Sequence, residues 1–384
     1  MGRFGRSINL IMMDKQKTLF KIFERARERG IAVGLIGSYG IGKSSLVYEY
    51  ALMKSKELGK ELKIWHELGK EEKEEIINDP SKYFILVDIK GSLISLDNLI
   101  IPIPNNGITW EVPSWMKLFS NEKSSGILFI DEINMTVPTL QSLLFELIFQ
   151  RKLGEYVIKG DVLIITAGND LESNISAKEI PQPLINRLIL INANEILDLE
   201  GWLEYARENN IDNRIIGWVL FNNRNINYPK ESMKQSTTPR SLELLSKMIN
   251  GENDMDYIRF VAKGLLEEND YIQFIGFVDL YEKLKDIDKY INNIELLNEL
   301  KDDEKIIIMM KITERYIKDK LDLNKFYNIL EQLSDKNRLL TVFTIRYLRY
   351  QNDDKFKKVF DRIIKENGKL YDLLGQMLEF ENRL

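Results

Sequence analysis

Short apolar runs alternate with helically spaced stretches over the first half of the chain, and the runs fade from about residue 196 onward. Residues 14–29 carry Leu19, Ile22, Phe23 and Ala26 at helical spacing and stop at Gly30, which predicts a helix. Residues 31–36 form an apolar run of strand type that ends in a glycine-rich segment, 37–42, and a helix over about 44–58 follows. Further strands are predicted at 84–89, 126–130, 162–167 and, shorter, 188–191. A helix over 139–149 gathers Leu140, Leu143, Leu144 and Leu147 on one side. Residues 57–79 are highly charged and read as a solvated insertion. Residues 90–113 hold Pro102, Pro104, Asn105, Asn106 and Gly107, the chemistry of a loop or hairpin insertion.

Strands alternating with helices predict an α/β fold with a mostly parallel, five-stranded sheet covered on both faces. Runs that are apolar at every position, rather than every second one, fit burial on both sides. The later region reads as helices, with Ile308, Met309, Ile312 and Tyr316 along one face and a loop at 251–254. The expected organisation is an α/β domain over 1–195, a helical domain over 196–285 and a helical extension over 286–384.

Composition narrows the chemistry. A length of 384 residues fits two or three domains, and 44% hydrophobic residues supply a sizeable core. The net charge of −5 argues against a protein that holds DNA mainly through its phosphates, while leaving a local basic patch open. With no cysteine, disulfides, zinc–thiolate sites and cysteine nucleophiles are excluded. His66 is the single histidine, and no nucleophile motif surrounds it. No apolar stretch is long enough for a signal h-region or a membrane span, so a cytoplasmic location away from membranes is expected.

The segment Gly37-Ser38-Tyr39-Gly40-Ile41-Gly42-Lys43-Ser44 has the G-x-x-x-x-G-K-[ST] spacing of a phosphate-binding loop, and it sits between a strand and a helix as that motif requires. Glycines let backbone N–H groups turn toward phosphate oxygens, and the following helix points its positive end at the anion. Lys43 is placed to reach the β- and γ-phosphates and the Ser44 hydroxyl to ligate Mg²⁺; Ser45 closes the segment. A second apolar run, 127–130, ends in Asp131 and Glu132. With a phosphate loop upstream, Asp131 can hold the metal through its water shell and Glu132 can act as a base on the attacking water. The run 164–167 ends near Asn169, whose amide can orient that water. Arg187, before the last strand, fits equally a surface ion pair or an arginine pushed into a neighbouring subunit's site. Arg240, after Thr238 and Pro239, fits equally an exposed arginine on a capped helix or a phosphate contact.

The order of these motifs resembles AAA+ ATPases, and within them the MoxR-like group related to midasin and dynein modules. The likeness runs over roughly residues 30–285. It rests on residues 35–45, on Ile130-Asp131-Glu132-Ile133-Asn134, on Ala167-Gly168-Asn169, on Pro183-Leu184-Ile185-Asn186-Arg187 and on Thr238-Pro239-Arg240-Ser241. Tyr39 stands where relatives often carry proline. The resemblance implies ATP and Mg²⁺ as cofactors, Lys43 and Ser44 as Walker A, Asp131 and Glu132 as Walker B and Asn169 as sensor 1. It further implies Arg187 as the arginine finger acting in a neighbour's site and Arg240 as sensor 2, in cis or in trans. Residues 90–115 match its helix-2 insertion and 151–161 its hairpin before sensor 1. It implies a homo-oligomeric, hexameric ring that remodels a partner, in that group often a protein with a von Willebrand factor A domain. Two other readings stay open: a nucleic-acid motor or McrB-type GTPase, whose family shares the Asp-Glu-Ile-Asn motif, and a nucleotide-dependent scaffold without turnover.

Overall fold

The structure is a computed structural model that describes residues 3–95, 99–104, 108–170, 185–196, 199–222 and 236–381. Pro183 and Leu184 of the motif before the last strand, and the turn residues Asn105, Asn106 and Gly107, lie outside the described residues. The chain divides into two compact units, whose main segments are Asn9–Leu197 for the first and Asp198–Ile226 with Met233–Leu384 for the second.

The first unit is built on a parallel sheet. In chain order its elements are α1 (Arg3–Arg29), β1 (Val33–Gly37), α2 (Lys43–Glu57), β2 (Glu61–Ile64), α3 (Lys70–Asn78), β3 (Tyr83–Lys90), β4 (Ile101–Pro104), β5 (Ile108–Glu111) and α4 (Ser114–Phe119). There follow β6 (Ser125–Asp131), α5 (Pro138–Phe145), β7 (Lys152–Leu153), β8 (Tyr156–Val157), β9 (Asp161–Asn169), β10 (Ile189–Asn192) and α6 (Ala193–Ile196). The sheet order is β10-β1-β9-β6-β3-β2, with every neighbouring pair parallel.

Both faces of this sheet are buried, which is why its strands carry apolar residues at successive positions. Leu163, Ile165 and Ala167 of β9, with Ile127 and Phe129 of β6, face Leu19 and Phe23 of α1 and Val47 and Tyr50 of α2 in one cluster. The intervening residues, Val162 and Ile164 of β9 with Leu128 and Ile130 of β6, pack with Trp115 and Phe119 of α4 and Leu144 and Leu147 on the other face.

The sheet has six strands where the pattern predicts five. The added strand, β2, lies in the charged segment expected to be a solvated insertion and pairs with β3 from Glu61↔Tyr83 to Ile64↔Leu86. Only Leu62 and Ile64 alternate with Glu61 and Lys63, too short a pattern to stand out. Charge on an edge strand is a common guard against pairing with a further strand. The insertion at 90–113 contains an antiparallel hairpin, β4 with β5. The last turns of the helix expected at 139–149 are π-helical, over Glu146–Gln150.

In the second unit all described regular structure is helical. From Asp198 on, the described residues of 196–285 and of 286–384, expected as a lid and an extension, share this unit. Its apolar side chains form two clusters, one around Trp218, Leu242 and Phe274 and the other around Ile291, Phe326 and Leu348. The helix Asp302–Ile317 feeds both, Ile307 and Met310 to the first and Ile308, Met309, Ile312 and Tyr316 to the second. A helix buried on two sides joins its flanking layers into one body.

Candidate functional site

The chain leaves β1 for the far side of the sheet, so β1 and β9 flank a switch in strand order. Ligands of open α/β sheets bind outside the carboxyl ends of strands at such a point. Gly37 at the end of β1 is in register with Asn169 at the end of β9, and Asp131 ends β6 on the same edge. The turn between β1 and α2 therefore opens beside both.

Its backbone is shaped for an anion. Gly42, the residue before α2, has φ 110°, a conformation L side chains rarely adopt. Having no side chain, it leaves the first-turn amides of α2 facing the loop. The Lys43 side chain folds back into the loop, buried, and its Nζ donates to Gly37 O at 2.7 Å, to Ser38 O at 2.8 Å and to Asn169 Oδ1 at 3.1 Å. Ser38 and Ile41 are buried, Tyr39, Gly40 and Ser44 half-buried and Ser45 exposed.

Ser44 and Asp131 meet across the edge, with Ser44 Oγ donating to Asp131 Oδ2 at 3.1 Å. The Glu132 N–H donates to Asp131 Oδ1 at 2.9 Å, which orients the carboxylate. Glu132 itself has φ 54°, an uncommon region for a residue with a side chain. Ser92 Oγ donates to Glu132 Oε2. A Cβ on Gly91 would lie 2.6 Å from the Glu132 carbonyl oxygen and 3.1 Å from that of Asp131, so only glycine lets the end of β3 pass this close. Asn169 is clamped in turn: Asn134 Nδ2 donates to its carbonyl at 2.7 Å and its N–H donates to Asn134 Oδ1 at 3.2 Å.

Four residues at this site escaped the sequence reading, and Asn134 entered it only as part of a motif. Asn194 and Asp170 hold the loop from behind: Ser38 N–H donates to Asn194 Oδ1 at 3.0 Å, Ser38 Oγ to Asp170 Oδ2 at 3.1 Å and Asn194 Nδ2 to that oxygen at 3.2 Å. Ser92 holds Glu132. Asp88, on β3 across from Phe129, has a buried Oδ1 with no hydrogen-bond partner among the described residues. Burial, then the Asp131 charge, push its carboxyl above the usual range. Only the position of Asp170, directly after Asn169, gave any advance signal.

A hard divalent cation fits this donor set. The Ser44 hydroxyl and Asp131 carboxylate are oxygen donors, and Asp88 on the neighbouring strand offers a further carboxylate. Among the described residues no cluster of three or more His, Cys, Asp or Glu could hold a metal alone.

The two candidate arginines belong to different units. Arg187 is exposed in the sheet unit, with its guanidinium carbon 4.8 Å from the centroid of the Phe149 ring. Arg240 belongs to the helical unit, exposed in the first turn of the helix Pro239–Ile249, which Thr238 caps by accepting from the Ser241 N–H at 3.2 Å. His66 is exposed in the short turn Trp65–Glu67. No described helix is long and apolar enough to cross a membrane.

No protein-family model matches the chain, and no curated protein matches it. Among solved structures it is similar to a RuvB variant from Thermotoga maritima, at 17% identity, 83% coverage of this chain, 81% of that chain and a TM-score of 0.34. It is also similar to NtrX from Brucella abortus, at 13% identity, 90% and 67% coverage and a TM-score of 0.37. PCH-2 of C. elegans is similar at 15% identity, 72% and 68% coverage and a TM-score of 0.27.

Proposed function

We propose that the chain is an ATP-hydrolysing AAA+ motor of MoxR-like type, working in the cytoplasm as a homo-oligomeric ring that remodels a partner protein. The observation that carries this reading is the meeting of three groups on one sheet edge: the Lys43 ammonium against Asn169 Oδ1, the Ser44–Asp131 pair, and Glu132 next in the chain. A phosphate loop alone is a binding feature; a loop facing an oriented carboxylate and a candidate base is equipped for hydrolysis.

In this reading the amides of the loop and of α2 receive the phosphates, and Lys43 exchanges carbonyl acceptors for β- and γ-phosphate oxygens. Ser44 and Asp131 would hold Mg²⁺, which when bound neutralises phosphate charge. Glu132 leaves Ser92 and takes the proton of the attacking water, and the Asn169 amide orients that water. Arg187 enters the next subunit's site and meets the charge on the transferred group. Arg240 is the proposed sensor 2, acting in cis or in trans. The partner is expected to carry a von Willebrand factor A domain, a choice that rests on the resemblance in the motifs.

The test is complementation. Glu132→Gln protein binds ATP without cleaving it, and Arg187→Ala protein loses turnover by about three to five orders of magnitude. Mixing the two restores part of the activity, because each supplies what the other lacks. Mixtures that form rings and remain inactive would overturn the shared-site reading.

A further inference from the structure

We infer that Phe149 is a positioning residue for Arg187: its ring holds the guanidinium in place while leaving the N–H donors free for a neighbouring subunit's triphosphate. The inference deepens the function proposed above and rests on Arg187 acting in trans.

A structural arginine spends its donors at home. Arg214 bonds Asp212 through Nε at 3.0 Å and Nη2 at 2.8 Å, and also reaches the carbonyls of Ile249 and Glu252. Arg27 pairs with Glu24 and Asp161. Even the arginines that sit over rings elsewhere have polar partners: Arg349 over Tyr350 also bonds Glu204, and Arg362 over Tyr327 also bonds Glu366. Arg187 differs, since among the described residues no carboxylate pairs with it and its contact is the Phe149 ring. A carboxylate would neutralise the guanidinium and occupy its fork. A ring face attracts the cation through its quadrupole and uses none of the five N–H donors.

The seat itself is fixed. Phe149 lies in the π-helical segment Glu146–Gln150, and the Leu147 and Ile148 side chains just before it are buried. The Phe145 ring backs it at 6.1 Å between centroids. This π-helical turn ends the helix that begins at Pro138, which places Phe149 one residue before its last position. An exposed arginine otherwise samples many rotamers, and confining it in advance lowers the ordering cost of reaching into another chain.

The experiment compares Phe149→Leu, which keeps apolar bulk and removes the π-face, with Phe149→Tyr, which keeps the ring. Ring assembly and thermal midpoint are checked for each. With assembled protein, Phe149→Leu should lower kcat about two- to fivefold, the range of a cation–π contact at an exposed site, and leave KM for ATP within about twofold. Phe149→Tyr should restore kcat. Mixing Phe149→Leu subunits with Lys43→Ala subunits should raise turnover per intact site, since the Lys43→Ala chains still offer a seated Arg187. Wild-type kcat in assembled Phe149→Leu protein, a kcat increase on losing the ring, or a defect the tyrosine fails to rescue would each overturn the inference. If Arg187→Ala leaves turnover intact, the trans-acting reading fails first; if Arg187→Ala is inactive and Phe149→Leu is normal, only the inference about Phe149 fails.

Discussion

The sheet unit and the helical unit both bury polar groups, but they use them differently. In the helical unit Arg214 and Glu314 have their partners inside the unit: Arg214 is taken up by Asp212 and two carbonyls, and Glu314 accepts from Tyr281 at 2.8 Å and Tyr347 at 3.0 Å. Burial, and then the Glu314 charge, push both phenols above their ordinary range, so they remain donors. At the carboxyl edge of the sheet one buried acceptor is left without a partner among the described residues. Lys43 rests on carbonyls, Glu132 sits in a strained backbone, and the Asp88 oxygen has no partner among the described residues. Closed networks specify packing, whereas open ones mark where a ligand completes the set.

Five substitutions would break or sharpen this contrast. Glu132→Gln should cut ATP turnover by about 10²–10⁴-fold, the contribution of a general base, while nucleotide binding and the unfolding midpoint stay near wild type. An accompanying collapse of stability would mean that the edge is packing after all. Asp212→Ala should do the reverse. It leaves a buried guanidinium without its main partner and should cost about 3–5 kcal/mol in urea unfolding.

The glycines separate the units in the same way. Gly91→Ala pushes a Cβ against the Glu132 carbonyl and should cost about 1–3 kcal/mol, the range for overpacking, with turnover falling alongside. Gly276→Ala, exposed in the helix Glu268–Lys283 with open space around it, should stabilise by about 0.5–1 kcal/mol and leave turnover alone.

The last effect is electrostatic and confined to acid pH. Burial raises the Glu24 carboxyl, but hydrogen bonds from Arg27, Lys54 and Tyr50 outweigh it and lower the pKa from 4.5 to about 2. The folded form therefore binds this proton less readily than the unfolded form. The resulting stability is full above about pH 4.5 and is lost as pH falls toward 2. Glu24→Gln should flatten that part of the urea-midpoint profile, and an unchanged profile would show that the three donors do not act on Glu24 in solution.

Much of the fold was legible because it is local. The runs at 84–89, 126–130 and 162–167 each lie within an observed strand, and the phosphate-loop motif sits between β1 and α2 as expected. The strand β2 was missed because two apolar residues in a charged segment carry too little pattern. The site was legible where a motif names its own residues, as for Lys43, Ser44, Asp131 and Glu132. It was illegible where a residue acts only through a distant partner: Asn194 is 156 positions from Ser38, and Ser92 is 40 from Glu132.

The sequence alone determined that an apolar strand feeds a glycine-rich turn and a helix, and that a second strand ends in two acids. Backbone preference and hydrophobic period act between near neighbours, and those are visible in a string of residues. The tertiary structure decided which ends share an edge, that Asn194 and Asp170 brace the loop, and that Arg187 rests on Phe149 rather than on a carboxylate. These depend on strand order and on where each crossover returns, which no spacing along the chain encodes.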